Sequence, residues 1–141
     1  MIGVLIAKKN VSSAFDALNR RDVSAFLSSW RDDCVFIYPG NIPVSGKMEG
    51  KSSIEKWFQN FMDQFPKFKF TLKSICVKNI FDFVGTNVVT AHWDIDLTNR
   101  DGNVVHNNGV TIINIKFGNA FLVTDYYFDT GDKFRTAWSV A

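Results

Sequence analysis

A histidine and two aspartates recur at alternate positions in His92-Trp93-Asp94-Ile95-Asp96. On an extended chain that spacing puts the three polar side chains on one face, because successive side chains point to opposite sides of a strand. A carboxylate beside an imidazole can hold or pass a proton, which is the equipment of general acid/base catalysis. A pair of imidazoles with a carboxylate could instead hold a metal ion, His106 supplying the second ring. Other reactive patterns are absent: there is no Gly-x-Gly-x-x-Gly, Gly-x-Ser-x-Gly or Walker-type loop. Cys34 and Cys76 stand in separate apolar segments without zinc-ligand spacing, so both are expected to be buried and reduced.

The elements that carry these residues divide the chain in two. Helical periodicity marks the first half: roughly residues 8–20 around Phe15 and Leu18, then Val23 to Trp30 behind a capping Asp22. A third helix opens at Ser52 or Ser53, carries Ile54, Trp57, Phe58 and Phe61 on one side, and ends at Pro66. Between them Cys34 to Tyr38 is a short strand, followed by a loop to Gly50. From Lys67 the period becomes two, with strands from Lys67, over Val88–Leu97, Val104–Phe117 and Phe121–Thr130. Residues 99–102 and Gly118-Asn119 are the hairpin turns. A short helix around Asp132 to Val140 closes the chain. Helices first and long antiparallel strands after make an α+β fold in one domain, residues 1–141.

Turn lengths then predict which residues share a face. A two-residue turn at Gly118-Asn119 pairs Thr111 with Tyr126 and Gly109 with Phe128. A two- or four-residue turn within 99–102 gives the other hairpin the same odd parity. One face then collects His92, Asp94, Asp96, Asn107, Thr111, Tyr126 and Phe128, and the other collects Trp93, Ile95, Val110, Ile112 and His106. The first face, covered by the helices, would enclose Asp94. The second, apolar with an exposed indole, would be buried by a second copy, so a homodimer through Trp93, Ile95, Val110 and Ile112 is expected. This parity separates His106 from His92, and no metal is expected.

Composition sets the class. The 141 residues include 14 Phe, 4 Trp and 3 Tyr, enough aromatic surface for a thick core, an apolar cavity, or both. Sixteen basic and fourteen acidic residues form nothing like the concentrated basic footprint of a nucleic-acid binder. The apolar run Ile2–Ala7 is too short to span a membrane and lacks the layout of a signal peptide, so no membrane partner and a cytoplasmic location are expected.

In combination, Ala14-Phe-Asp-Ala-Leu-Asn-Arg-Arg-Asp22, Phe26 to Trp30 before Asp32-Asp33-Cys-Val-Phe, Gly46-Lys-Met-Glu-Gly-Lys-Ser-Ser-Ile54, Val89-Thr-Ala-His-Trp-Asp94 and Asp125-Tyr-Tyr-Phe-Asp129 resemble the SnoaL-like branch of the nuclear transport factor 2-like superfamily. That resemblance implies a cone-shaped α+β barrel, a curved antiparallel sheet wrapped around N-terminal helices with a pocket inside. Its members include polyketide cyclases, ketosteroid isomerases, limonene epoxide hydrolases and proteins without catalytic activity. The strand pair that works on water and epoxide in the hydrolases corresponds to His92 and Asp94, and their last-strand Asp to Tyr126. The isomerases' base before a proline corresponds to Tyr38.

The expectation that follows is a cofactor-free cyclase-, isomerase- or hydratase-type enzyme acting on a small hydrophobic molecule. Asp94 is its acid/base, with Asp129 the alternative carboxylate, and His92 orients Asp94. Tyr126 and Tyr38 donate hydrogen bonds to a developing oxyanion. Phe36, Trp30, Trp57 and Phe128 are candidate pocket walls, with Asn107 and Thr111 on the same face. A non-catalytic ligand-binding or dimerisation module on the same fold is the alternative.

Overall fold

The computed structural model describes residues 2–141. Its elements are α1 (Ile2–Asn19), α2 (Val23–Phe26), β1 (Trp30–Tyr38), β2 (Gly46–Glu49), α3 (Lys51–Gln64), β3 (Lys67–Val77), β4 (Asn87–Thr98), β5 (Val104–Lys116), β6 (Asn119–Tyr127) and α4 (Asp132–Ala137). The six strands form one curved sheet in the order β2-β1-β6-β5-β4-β3, so the fold is α+β as expected. The sheet is open rather than a closed barrel, with β2 and β3 as free edges. One pair is not antiparallel: β1, one strand in from the β2 edge, runs parallel to β6.

Local chemistry explains most boundaries. Asp22 accepts from the Ala25 amide at 3.0 Å and starts α2, which lasts a single turn before Trp30 opens β1. The Arg21 guanidinium donates to the carbonyls of Met62 and Phe65 at the end of α3, satisfying acceptors that the helix leaves free. The Asn19 amide both donates to Phe70 O and accepts from Phe70 N, pairing with edge strand β3. The apolar run Ile2–Ala7 is the beginning of α1, and β2 falls where a loop was expected. Among the described residues no helix is long and apolar enough to cross a membrane.

The face assignment is corrected by two local events. The connection from β4 to β5 spans the five residues 99–103, so Thr98 pairs with Val104 and odd residues of both strands share a face. Asn99 builds this loop, its Oδ1 accepting from the amides of Asp101 and Asn103 while its Nδ2 donates to the carbonyls of Thr136 and Ala137. The β5–β6 turn is centred on Phe117 and Gly118, both at positive φ (49° and 82°), which is the hairpin geometry that matches strand twist. A bulge at Phe121 then shifts the register, so Thr111 faces Asp125 and Gly109 faces Tyr127.

The concave face, covered by helices, therefore holds Val89, Ala91, Trp93, Ile95 and Leu97 of β4, all buried, with Trp93 0% exposed. Gly109 makes room for that indole. A Cβ at this position would collide with the Tyr126 carbonyl and lie 3.0 Å from the Trp93 ring. Of the two cysteines, Cys34 is buried and its thiol pKa is pushed up to about 11 by burial, whereas Cys76 is exposed, contrary to expectation. Both are free thiols.

Candidate functional site

The helices do not fill the concavity completely. Between them and the sheet lies a cavity of about 380 Å³, within the usual range of small-molecule pockets, roughly 300–1,000 Å³. Much of its wall is aromatic, including Phe15 from α1, Trp30 and Phe36 from β1, Trp57 and Phe58 from α3, and Phe70 from β3. Trp57 packs on Tyr38 with ring centroids 4.5 Å apart and on Phe36 at 5.1 Å. Its indole Nε1 donates to the Val44 carbonyl at 2.9 Å, which fixes the ring.

Polar groups converge at one end of this apolar space. Trp93 Nε1 donates to Thr111 Oγ1 at 2.9 Å, and Thr111 Oγ1 donates to Asp125 Oδ1 at 2.6 Å. An indole N–H can only donate, so the threonine oxygen must accept from it and its proton is directed at the carboxyl. Asp125 Oδ2 makes no hydrogen bond among the described residues. It also keeps accessible surface, because no buried side-chain polar atom among them lacks a partner. Since Asp125 is part of the cavity wall, that oxygen is the one available to a cavity occupant.

Burial pushes the Asp125 pKa up to about 7, and the Thr111 hydrogen bond opposes the rise. A carboxyl that titrates near neutrality can both give and take a proton under ordinary conditions. Two phenols complete the polar end. Tyr38 and Tyr127 pack edge to face with ring centroids 5.5 Å apart, and burial raises both pKa values above the ordinary phenol range. Trp138 Nε1 donates to Tyr38 Oη at 2.9 Å, so the residue after α4 sets the position of the Tyr38 ring.

Of the residues singled out from sequence, Tyr38, Phe36, Trp30, Trp57 and Thr111 lie in the cavity wall. The others do not meet there. Asp94 is on the outer face of the sheet, its carboxylate 3.4 Å from Lys73 Nζ, and His92 lies beside the Phe128 ring at 5.8 Å between centroids. The even register puts Asp94 and His92 outside, so neither occupies the enclosed space expected for it. Tyr126 (50% exposed) and Phe128 (59% exposed) are also outside. Asn107 points inward and is buried, but its Nδ2 donates to the Asp129 carbonyl, away from the cavity. Asp129 is exposed and accepts from the Gly131 amide.

His106 shares the outer face with Asp96 and accepts or donates at 2.8 Å through Nδ1, instead of lying on the opposite side from it. No group of three or more metal-ligating side chains occurs among the described residues. Trp93 and Ile95, expected on the dimer face, are 0% exposed inside the core. The residue that sequence reasoning missed is Asp125. On β6 it shares the inward face with Val123 and Tyr127.

The SnoaL-like domain family matches residues 11–121. The chain belongs to this family. Solved structures similar to this SnoaL-like protein include an NTF2-like protein from Burkholderia pseudomallei, 15% identical, with 91% of this chain and 94% of that one covered at a TM-score of 0.79. A putative isomerase from Bacillus subtilis is 19% identical over 100% and 98% of the two chains, with a TM-score of 0.79. A putative polyketide cyclase from Xanthomonas campestris pv. campestris is 21% identical over 86% and 89%, with a TM-score of 0.66. At these identities the likeness is one of fold. No curated protein gives a significant match. The resemblance put Tyr126 at the place of the last-strand Asp; in this SnoaL-like protein the inward position belongs to Asp125, one residue earlier.

Proposed function

We propose that this protein carries out a cofactor-free proton transfer, of the cyclase, isomerase or hydratase kind, on a small apolar molecule held in the cavity. The observation that carries the reading is the half-used carboxyl of Asp125: Oδ1 is held by Thr111, and Oδ2 is open to an apolar cavity. Protonated, Asp125 can protonate or hydrogen-bond a carbonyl or ether oxygen; ionised, it can take a proton from an activated carbon. The Tyr38–Tyr127 pair lies close enough for the Asp125 charge to raise both phenol pKa values, and it offers a hydroxyl to the oxygen on which charge develops. The aromatic walls bind by burial of apolar surface and keep water from the reacting atoms. The homodimer expectation passes to the residues that do face outward, Val110 and Ile112, flanked by Tyr126 and Phe128.

The test is a melting-temperature screen of wild type and Asp125→Asn against polycyclic aromatic, steroid and terpenoid compounds, followed by product analysis of every hit. Binding to the folded state raises the melting temperature by mass action, about 2.7 kcal/mol at a hundredfold excess over Kd. The expected result is a compound that stabilises both proteins and is converted by wild type alone. A compound that binds and is never converted would make the protein a ligand-binding module instead.

A further inference from the structure

The cavity opens at the end of the molecule formed by the first turns of α1, the segment 78–86 between β3 and β4, and the β5–β6 turn. Ile2, Gly3 and Ile6 line it there, with Phe83, Gly85 and Gly118. The three segments are in contact: a Cβ on Gly3 would lie 2.5 Å from the Asp82 carbonyl, and the Gly118 amide donates to Gly85 O at 2.9 Å. Thr111 is six residues along β5 from Phe117, about 20 Å at the rise of a strand, so this rim is remote from the polar end.

The rim presents large apolar side chains to the outside. Leu5 is 68% exposed, Phe81 66%, Phe83 88%, Val84 62% and Phe117 67%. Single exposed apolar residues are ordinary, but a cluster from three separate segments around one opening marks a contact surface. The charge around it has one sign. Lys8 and Lys9 lie three and four residues after Leu5, next to it on the helix surface, and Lys78 and Lys116 flank the other two segments, all four exposed. The Lys116 ammonium is 5.8 Å from the Phe117 ring centroid. The one acidic residue in these segments, Asp82, turns its carboxylate onto the amides of Val84, Gly85 and Thr86 and onto Asn87 Nδ2.

We propose that this rim docks on the surface of an anionic lipid bilayer, with Leu5, Phe81, Phe83 and Phe117 entering the headgroup region and the lysines facing lipid phosphates. An apolar patch ringed by lysines is the pattern of a surface-bound, non-spanning membrane contact. It differs from the absence of a spanning helix, on which the expectation of no membrane partner rested. A second copy is the poorer occupant, since a two-fold contact through this patch would set its lysines against the same lysines. The arrangement also gives the cavity's occupant a route: an apolar molecule moves from bilayer to cavity through an apolar collar, without crossing water.

The test is co-sedimentation of the full chain with vesicles of phosphatidylcholine alone or mixed with phosphatidylglycerol, at low and high salt. Wild type is expected to bind the anionic vesicles and to be released by salt. The Lys8→Gln/Lys9→Gln double variant should bind roughly 25-fold more weakly, at about fivefold per lysine. Phe83→Ser, or Leu5→Ser if that variant fails to fold, should weaken binding by about tenfold or more with an unchanged melting temperature. No binding of wild type to anionic vesicles, or binding indifferent to both kinds of variant, overturns the proposal. So does a wild-type dimer that ignores vesicles and falls to monomer with Phe83→Ser, because a second copy would then be the occupant.

Discussion

The raised pKa of Asp125 makes a stability prediction that needs no substrate. An exposed aspartate titrates at 3.8, whereas Asp125 in the folded protein titrates at about 7. Between those values the folded state holds a proton that the unfolded state has released, so stability falls as pH rises through this window and levels off above it. A gap of about three pH units, at about 1.36 kcal/mol each, makes the ionised carboxyl cost the folded state about 4 kcal/mol at pH 8. Asparagine has nearly the same shape, stays neutral, and keeps an acceptor for Thr111 Oγ1. Asp125→Asn should therefore exceed wild type by only about 1 kcal/mol at pH 4.5 and by up to about 4 kcal/mol at pH 8.5. At about 3 °C per kcal/mol for a chain of this size, that is a melting-temperature gain of about 12 °C. The assay is thermal unfolding of both proteins at half-unit steps from pH 4.5 to 8.5, reading the difference at each pH. All other titrating groups are common to the pair and cancel. A difference that stays constant across the range would mean that Asp125 ionises as an ordinary surface aspartate, and the account of an acid/base-competent site would fail.

Thr111→Val should raise the Asp125 pKa further, because it removes the hydrogen bond that favours the carboxylate, and should cost about 1–3 kcal/mol by leaving the Trp93 N–H unpaired; carboxyl titration by NMR and chemical unfolding check the two parts. Ala14→Leu places three extra carbons in the cavity from a helical position on its wall, and should abolish ligand-induced stabilisation while the unliganded melting temperature changes little. Phe128→Asp, on the outer face beside His92, should convert a dimer to a monomer by sedimentation velocity without altering the melting temperature of the monomer, since the side chain is exposed in the single chain.

Much of this architecture can be read from local patterns. Asp22 caps α2, Trp57 and Phe61 sit on the buried side of α3, and Pro66 ends it, each for a reason carried within a few residues. The aromatic walls Trp30, Phe36 and Trp57 were legible for the same reason, whereas Phe128, expected with them, faces outward. The carboxylate was not, because its face depends on the parity of two hairpins. Asn99 closes a five-residue loop through its own side chain, and Phe121 adds a bulge; each moves the register by one residue and inverts the faces. Turn arithmetic cannot see either event. The binary pattern of β4 could, since Ala91, Trp93, Ile95 and Leu97 are apolar while His92, Asp94 and Asp96 are not, and the apolar set faces the core. Strand β2 had no such signal: its four residues are nearly all exposed, so no alternation marks them.

The parallel junction of β1 with β6 joins Val35 to Leu122, with most of the chain between them. Contacts of such sequence separation form late, because the loop they close is long. Tyr38 arrives on one side of this seam, Asp125 and Tyr127 on the other. A half-folded chain therefore holds the Trp93–Thr111–Asp125 chain within its hairpins, but lacks the Tyr38 side of the polar end. A molecule bound at the polar end meets both halves only after the seam has shut, so it acts as a latch: it lengthens the lifetime of the finished protein and leaves the rate of reaching it untouched.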